Sequence, residues 1–201
     1  MNKIHHVVSR IITVFLGIFP FQTFSQEGSV FVTHYFPQNE AYTSNLGILY
    51  DPNGQVILAN ERGILIFDGY QWELLPTPDI LTVLLALPKQ DRIAVGGRNM
   101  LGWIERKNNG EYVFMPLRHD STGIVMQIEA TDSFVYFLTP RQLIIGTHDL
   151  GRLHTLPARK GSSFQLLLPI AGKMYVDDGS SRLWLITEKG LQPSGFLFFS
   201  G

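Results

Sequence analysis

The sequence predicts an all-β fold made of repeated four-stranded units, and three observations carry that reading. Prolines that close apolar runs recur along the chain: Pro76 after QWELL, Pro116 after YVFM, Pro157 after RLHTL and Pro193 after GLQ, at spacings of 40, 41 and 36 residues. Each interval holds four short apolar runs separated by turn residues. Gly (19), Pro (11) and aromatic residues (12%) are plentiful, and no 12-residue window past Pro20 keeps a helical period. Four strands per period of about 40 residues is the mark of a β-propeller blade.

The first strands of the units are LGILYD (46–51), LTVLLALP (81–88), GIVMQIEA (123–130) and FQLLLPI (164–170). The second are QVILAN (55–60), RIAVGG (92–97), FVYFLT (134–139) and KMYVDD (173–178). The third are GILIFD (63–68), MLGWIE (100–105), QLIIGT (142–147) and RLWLIT (182–187). The fourth are YQWELL (70–75), EYVFMP (111–116), GRLHTLP (151–157) and a weaker GLQPSG (190–195). Turn chemistry separates them: Asp51-Pro52-Asn53-Gly54, Asp68-Gly69, Asn109-Gly110, Ala171-Gly172 and Lys189-Gly190 each supply a residue that tolerates positive φ. The expected blades are therefore 46–76, 80–117, 123–158 and 162–195 of a body spanning 26–201. One small twisted sheet cannot cover both of its faces, and radial stacking supplies a neighbour on each side. That accounts for nearly all-apolar inner runs such as LTVLLAL beside the alternating outer run QWELL. A sandwich of sixteen strands is the competing reading. It explains the strand content but not the fixed unit of four.

Charge and composition bound the function. The formal net charge is −1. Two of the 16 Lys and Arg fall in residues 1–25, which carry no acid, so the remainder has 14 bases against 17 acids. A mildly acidic body is a poor match for direct nucleic-acid binding. The chain has no cysteine, which excludes disulfides, thiolate metal sites, a Cys nucleophile and a lipidated-Cys anchor.

Residues 1–25 read as a signal peptide: Lys3 and Arg10 in a basic start, the apolar run Ile11–Phe19, a break at Pro20, and cleavage after Ser25. The chain is thus expected to be exported, to the periplasm or the extracellular side. The competing reading is an uncleaved anchor, but the apolar run is shorter than the ~20 residues that span a bilayer. The last unit runs into GFLFFSG, where Phe196, Leu197, Phe198 and Phe199 would lie exposed at an open edge. The chain is therefore expected to be a fragment, about half of a larger ring. The alternative is a complete four-blade ring in which residues 29–36 (SVFVTHYF) add a closing strand to the last blade.

The stretch ANERGILIFDGYQWELLP (59–76) resembles the blade signature of two-component-regulator propellers. The matching positions are Ala59-Asn60, Gly63-Ile64, Phe67, Asp68-Gly69 and Trp72. Residues 34–56 resemble the N-terminal approach of the same sensors, and AVGGRNMLGWIE (94–105) resembles their second blade. The likeness is specific over about 34–117 and fades over 118–195, where only the shape of the repeat persists. It implies an exported sensor propeller that feeds a triple-tyrosine β-domain, a membrane helix and a kinase or DNA-binding output, none of which lies in these residues. It also implies a small-molecule or polysaccharide-derived ligand bound by loops, with any membrane contact made through those further parts. Homo-oligomers are a further expectation, since half a ring calls for another half.

There is no Gly-x-Ser-x-Gly elbow, no phosphate-cradling loop around Gly96-Gly97 and no His-Glu-x-x-His, so no catalytic residue, metal site or cofactor is expected. Asp177-Asp178-Gly179 reads as an exposed turn in preference to a cation site. Trp72, Trp103 and Trp184 lie inside strands and are expected to pack between blades, the alternative being sugar stacking. Arg62, Arg98, Arg141 and Arg182 all fall at the second-to-third strand joint of successive units. They are the candidate ligand-binding set, four forked donors suited to an anionic or hydroxyl-rich ligand. The alternative is that each arginine pairs locally. Three functions follow: the sensor, a secreted interaction scaffold, and a carbohydrate-active propeller enzyme such as a lyase.

Overall fold

The computed structural model describes residues 33–35, 44–51, 54–87, 89, 91–118, 122–149, 151 and 153–197. The signal peptide expected at 1–25 lies outside them, as do Pro52, Asn53 and residues 198–201. Among the described residues sixteen strands form four antiparallel sheets of four, each in chain order. Blade 1 holds β1 (Asn45–Tyr50), β2 (Val56–Asn60), β3 (Gly63–Phe67) and β4 (Trp72–Pro76). Blade 2 holds β5 (Leu81–Leu87), β6 (Arg92–Gly97), β7 (Leu101–Arg106) and β8 (Tyr112–Arg118). Blade 3 holds β9 (Gln127–Ala130), β10 (Phe134–Leu138), β11 (Gln142–Thr147) and β12 (Leu153–Pro157). Blade 4 holds β13 (Leu166–Ile170), β14 (Lys173–Asp177), β15 (Arg182–Thr187) and β16 (Gly190–Leu197). The described residues include no α-helix.

The first strands pack in a row, β1 on β5, β5 on β9 and β9 on β13, which is the inner ring of a propeller. The recurring prolines acquire a reason here. Pro76, Pro116, Pro157 and Pro193 all lie on the fourth, outermost strand of their blades. An edge strand has one side without a ladder, so the missing N–H costs little there and blunts edge-to-edge pairing.

Three apolar cores fill the spaces between blades. Ile57, Ala59, Ile64 and Ile66 of blade 1 meet Ile93, Val95, Met100 and Ile104 of blade 2. Ala94 and Leu101 of blade 2 meet Val125, Val135, Phe137 and Ile144 on the blade 3 side. Tyr136, Leu138 and Leu143 of blade 3 meet Phe164, Leu167, Met174 and Val176 on the blade 4 side. Each fully buried Ile or Leu contributes about 2 kcal/mol relative to exposure. Alternate residues of each strand thus serve two different cores, as period-2 side-chain direction requires.

Polar side chains stitch the inner strands across the blade boundaries. Gln127 Oε1 accepts from the Leu167 N–H (2.8 Å) and its Nε2 donates to Leu167 O (3.0 Å), standing in for a peptide group between β9 and β13. Thr82 Oγ1 donates to Val125 O (2.6 Å) between blades 2 and 3. Tyr112 Oη of β8 reaches Gln55 Oε1 (2.6 Å) and Asp51 Oδ2 (3.2 Å) in blade 1. Burial, then the Asp51 carboxylate, pushes the Tyr112 phenol up to about 12.

The glycine pair of β6 is explained by close approach. A Cβ at Gly96 would stand 2.5 Å from Val125 Cγ1, and one at Gly97 would stand 2.2 Å from Ile80 O. Two expected strands differ in extent. The first strand of blade 3 begins at Gln127, not 123. Residues 123–125 are drawn to blade 2 instead, where Gly123 O accepts from the Asn99 N–H (2.8 Å) and the Val125 N–H donates to Gly97 O (3.1 Å). The weak last run is the longest of the described strands, β16, of eight residues. Its edge position tolerates Pro193 opposite Trp184.

Candidate functional site

In an antiparallel blade the first-to-second turn and the second-to-third joint lie at opposite ends of the sheet. The two ends have different chemistry. Arg62, Arg98 and Arg141 sit between the second and third strands of blades 1, 2 and 3, and Arg182 opens the third strand of blade 4. All four side chains are exposed.

Their local settings differ. In blade 1 the Arg62 N–H donates to Asn60 Oδ1 (2.9 Å), and the buried Asn60 donates through Nδ2 to Asn45 Oδ1 (2.8 Å). Arg98 is engaged by Asp79, in the connection leading into its own blade: Nη2 and Nε lie 2.8 and 2.9 Å from Asp79 Oδ1. The Asp79 hydrogen bond and charge raise the Arg98 guanidinium above its ordinary value. Arg141 accepts through its carbonyl from the Ala158 N–H (2.8 Å), and the Arg182 N–H donates to Ser180 O. Neither Arg141 nor Arg182 has an ion-pair partner among the described residues.

A fifth guanidinium completes the pattern, one that sequence reading did not single out. Arg159, in the connection leading into blade 4, lies 3.7 Å over the Trp184 ring and donates through Nε (3.0 Å) and Nη2 (2.6 Å) to Asp178 Oδ2. Asp178 sits in the joint between β14 and β15 and is buried. Burial acts to raise its pKa, but the hydrogen bonds from Ser180 and Arg159 outweigh burial and hold the carboxyl below its usual range. Blades 2 and 4 thus close the same gap with the same ion pair turned round. In one the arginine is in the joint and the aspartate in the connection, and in the other the roles are exchanged. Blade 3 does it with neutral groups, Gln142 Nε2 donating to Thr122 O (2.9 Å). Asp177 and Asp178 are consequently turn and ion-pair residues. Among the described residues no group of three or more His, Asp and Glu side chains is placed to hold a metal ion.

The tryptophans divide. Trp103 and Trp184 pack into the cores between blades 2 and 3 and between blades 3 and 4. Trp72 differs from the expectation: it packs with Leu58, Leu65 and Leu74 on the face of blade 1 turned away from blade 2. There it stacks at 4.8 Å on Phe67, and its Nε1 donates to Tyr35 O (3.2 Å). Of the segment suggested to complete the last blade, residues 33–35 form no strand, and Tyr35 lies on Phe67 of blade 1 (4.8 Å between rings). Its other residues lie outside those described.

At the opposite end of the sheets, a cleft of about 610 Å³ runs along the first-to-second turns of blades 2, 3 and 4. Lys89, Thr131–Ser133 and Gly172–Lys173 come from those turns. Leu87, Phe134, Tyr136, Met174 and Ile186 form its apolar part. Lys89 Nζ lies 2.7 Å from Asp132 Oδ1, bridging blades 2 and 3 across the rim. The bridge follows from one signal in the sequence: Lys89, Asp132 and Lys173 recur at the first-to-second turn of successive repeats. Sequence reading aligned the arginines in this way but not these residues.

No family model matches the sequence, and no curated protein matches it. Solved structures do. The extracellular domain of the hybrid two component system BT3049 of B. thetaiotaomicron is similar at a TM-score of 0.57 and 16% identity, over 76% of this chain and 24% of that one. The extracellular domain of BT4673 from the same organism is similar at 0.59 and 13%, over 81% of this chain and 22% of that one. Virginiamycin B lyase from Staphylococcus aureus is similar at 0.57 and 18%, over 75% of this chain and 55% of that one. At these identities the shared property is the propeller fold. The chain spans about a quarter of the length of the two receptor domains.

Proposed function

We propose that the chain is the extracytoplasmic, ligand-sensing propeller of a two-component-type signalling receptor, exported by residues 1–25, with its output supplied by parts that these residues do not include. The observation that supports this reading is the row of four blades, alike over 76% and 81% of its length to extracellular domains of B. thetaiotaomicron two component systems. The blade signature from Asn60 to Trp72 points the same way. In this reading the propeller binds its ligand without transforming it, and signals by a shift between two blade arrangements that the ligand stabilises unequally. The arginine-bearing ends of the blades are the proposed contact for an anionic or hydroxyl-rich ligand. Arg98 is held by Asp79, so Arg141 and Arg182 carry most of the effect.

The test has two parts. Fractionation of cells expressing the chain is expected to find it outside the cytoplasm with Gln26 as its first residue, and sequencing of the gene is expected to find a membrane helix and an output domain in frame. A cytoplasmic chain, or a gene with no membrane helix, defeats the receptor reading and leaves a secreted scaffold as the alternative. The arginines are tested separately with neutral and uronic-acid oligosaccharides. R141A/R182A is expected to weaken the tightest binder at least tenfold, and unchanged binding removes these residues from the site. The likeness to the Staphylococcus lyase supports an enzymatic rival, which turnover of any of these oligosaccharides would favour.

A further inference from the structure

We propose that the cleft at the first-to-second turns of blades 2, 3 and 4 is a binding site for a small organic carboxylate with an apolar or ring-shaped body. It lies at the end of the blades opposite the arginine row, and it does not depend on the receptor reading. Its volume of about 610 Å³ falls within the range of sites that enclose one small ligand.

The chemistry of the walls selects the ligand. Leu87 of blade 2 and Met174 of blade 4 are each 2% exposed, and Tyr136 of blade 3 is 6% exposed. They back the wall, and the apolar surface itself is offered by the more exposed Ala86 of blade 2, Phe134 of blade 3, and Pro169 and Ile186 of blade 4, to which a ring or short chain adheres by displacing water. Burial raises the Tyr136 phenol, so at neutral pH it adds no charge. The charges stand on the rim. Lys89 and Asp132 neutralise one another at 2.7 Å, and the ammonium and its charge hold the Asp132 carboxyl below its usual range. Lys173 lines the same cleft, is exposed, and has no ion-pair partner among the described residues. The cleft therefore carries one ammonium in excess, and a carboxylate is the complementary group.

Other classes fit less well. A phosphate dianion favours several converging donors or an arginine fork, and the lining has one uncompensated ammonium and no arginine. A cation would have to take Asp132 from Lys89. The His148 ring is turned into the wall: its Nε2 donates to Thr131 O (2.7 Å), and Nδ1 is buried there without a hydrogen-bond partner among the described residues. His148 fixes the turn that carries Asp132. The Lys89–Asp132 bridge is exposed at both ends, 70% and 91%, so it is worth little and yields readily to a ligand.

The test is calorimetric titration of the full chain at low ionic strength with four probes: phenylacetate, its neutral counterpart phenylacetamide, acetate, and inorganic phosphate. Phenylacetate is expected to bind at least tenfold tighter than each of the others, since each lacks either the charge or the body. Lys173→Gln changes an exposed side chain and keeps the fold, as an unaltered melting curve will verify. It is expected to bring phenylacetate down to the phenylacetamide level and leave phenylacetamide unchanged. R141A/R182A, at the other end of the blades, is expected to leave phenylacetate affinity as it was. Absence of phenylacetate binding, equal affinity for acid and amide, tighter binding of phosphate, or loss of phenylacetate binding in R141A/R182A but not in K173Q each overturns the proposal.

Discussion

Ile57 and Ile48 are the same side chain on adjacent strands of one blade, yet Ile57 is 0% exposed and Ile48 is 75% exposed. Ile57 faces blade 2 and belongs to the first interblade core. Ile48 lies on the other face with Leu46 and Tyr50, which are 49% and 69% exposed. No comparably packed pair joins β13 back to β1 among the described residues. At the far end of the row Leu166 and Phe196 are 39% and 49% exposed. A blade is apolar on both faces by composition, and cover over a whole face comes from the neighbouring blade; on the outer face of blade 1 Trp72 and Leu74 cover Leu58 and Leu65 but leave β1 bare. For the side chains of β1, burial is a property of the stack and not of the strand.

Substitutions on the two faces sharpen that contrast. Gly97→Ala drives a methyl to 2.2 Å from the Ile80 carbonyl, where backbone has to move. It is expected to cost more than about 3 kcal/mol in urea unfolding. Ile57→Ala opens a cavity in a covered core and is expected to cost about 3 kcal/mol, whereas Ile48→Ala stays within about 0.5 kcal/mol. Equal costs at the two isoleucines would show that the outer face of blade 1 is covered in solution.

Tyr112→Phe removes the hydroxyl that ties blade 2 to Gln55 and Asp51, at an expected cost of about 1–2 kcal/mol near neutral pH. Its pH dependence has a definite sign. The folded-state pKa of about 12 lies above the ordinary tyrosine value of 10.0. The stabilisation is therefore complete below the unfolded value and is lost as pH rises from about 10 through about 12. Tyr112→Phe is expected to lack this alkaline loss, as denaturant midpoints at pH 8, 10 and 11 will measure. The smallest effect is expected at the exposed Lys89–Asp132 bridge. Although it too crosses a blade boundary, Lys89→Ala should change stability by less than about 0.5 kcal/mol.

Much of the fold was legible because the repeat writes the same physical requirement four times. A proline on the outer strand, a turn glycine at Asp68-Gly69 and paired apolar runs are local signals, and Gly69 adopts the φ of +96° that its turn calls for. The positions of the four arginines at the second-to-third joints were legible for the same reason. What those arginines touch was not. Asp79 lies 19 residues before Arg98, and the reversed pair of Arg159 and Asp178 spans 19 residues in the opposite order. No local pattern announces which partner closes the gap. The departure of residues 123–125 to pair with blade 2 was hidden too, since an apolar run has the same composition whichever sheet takes it.

By itself, the sequence determined the unit: four strands, their turns, the edge prolines and the two-sided apolarity of each blade, all set by backbone preference and side-chain alternation over a few residues. Only the tertiary structure decided which apolar face became core, which charges met across a connection, and that Leu87, Tyr136 and Met174 line one cleft. Those outcomes depend on packing between residues about 40 apart in the chain, and distance along the chain does not specify which faces meet.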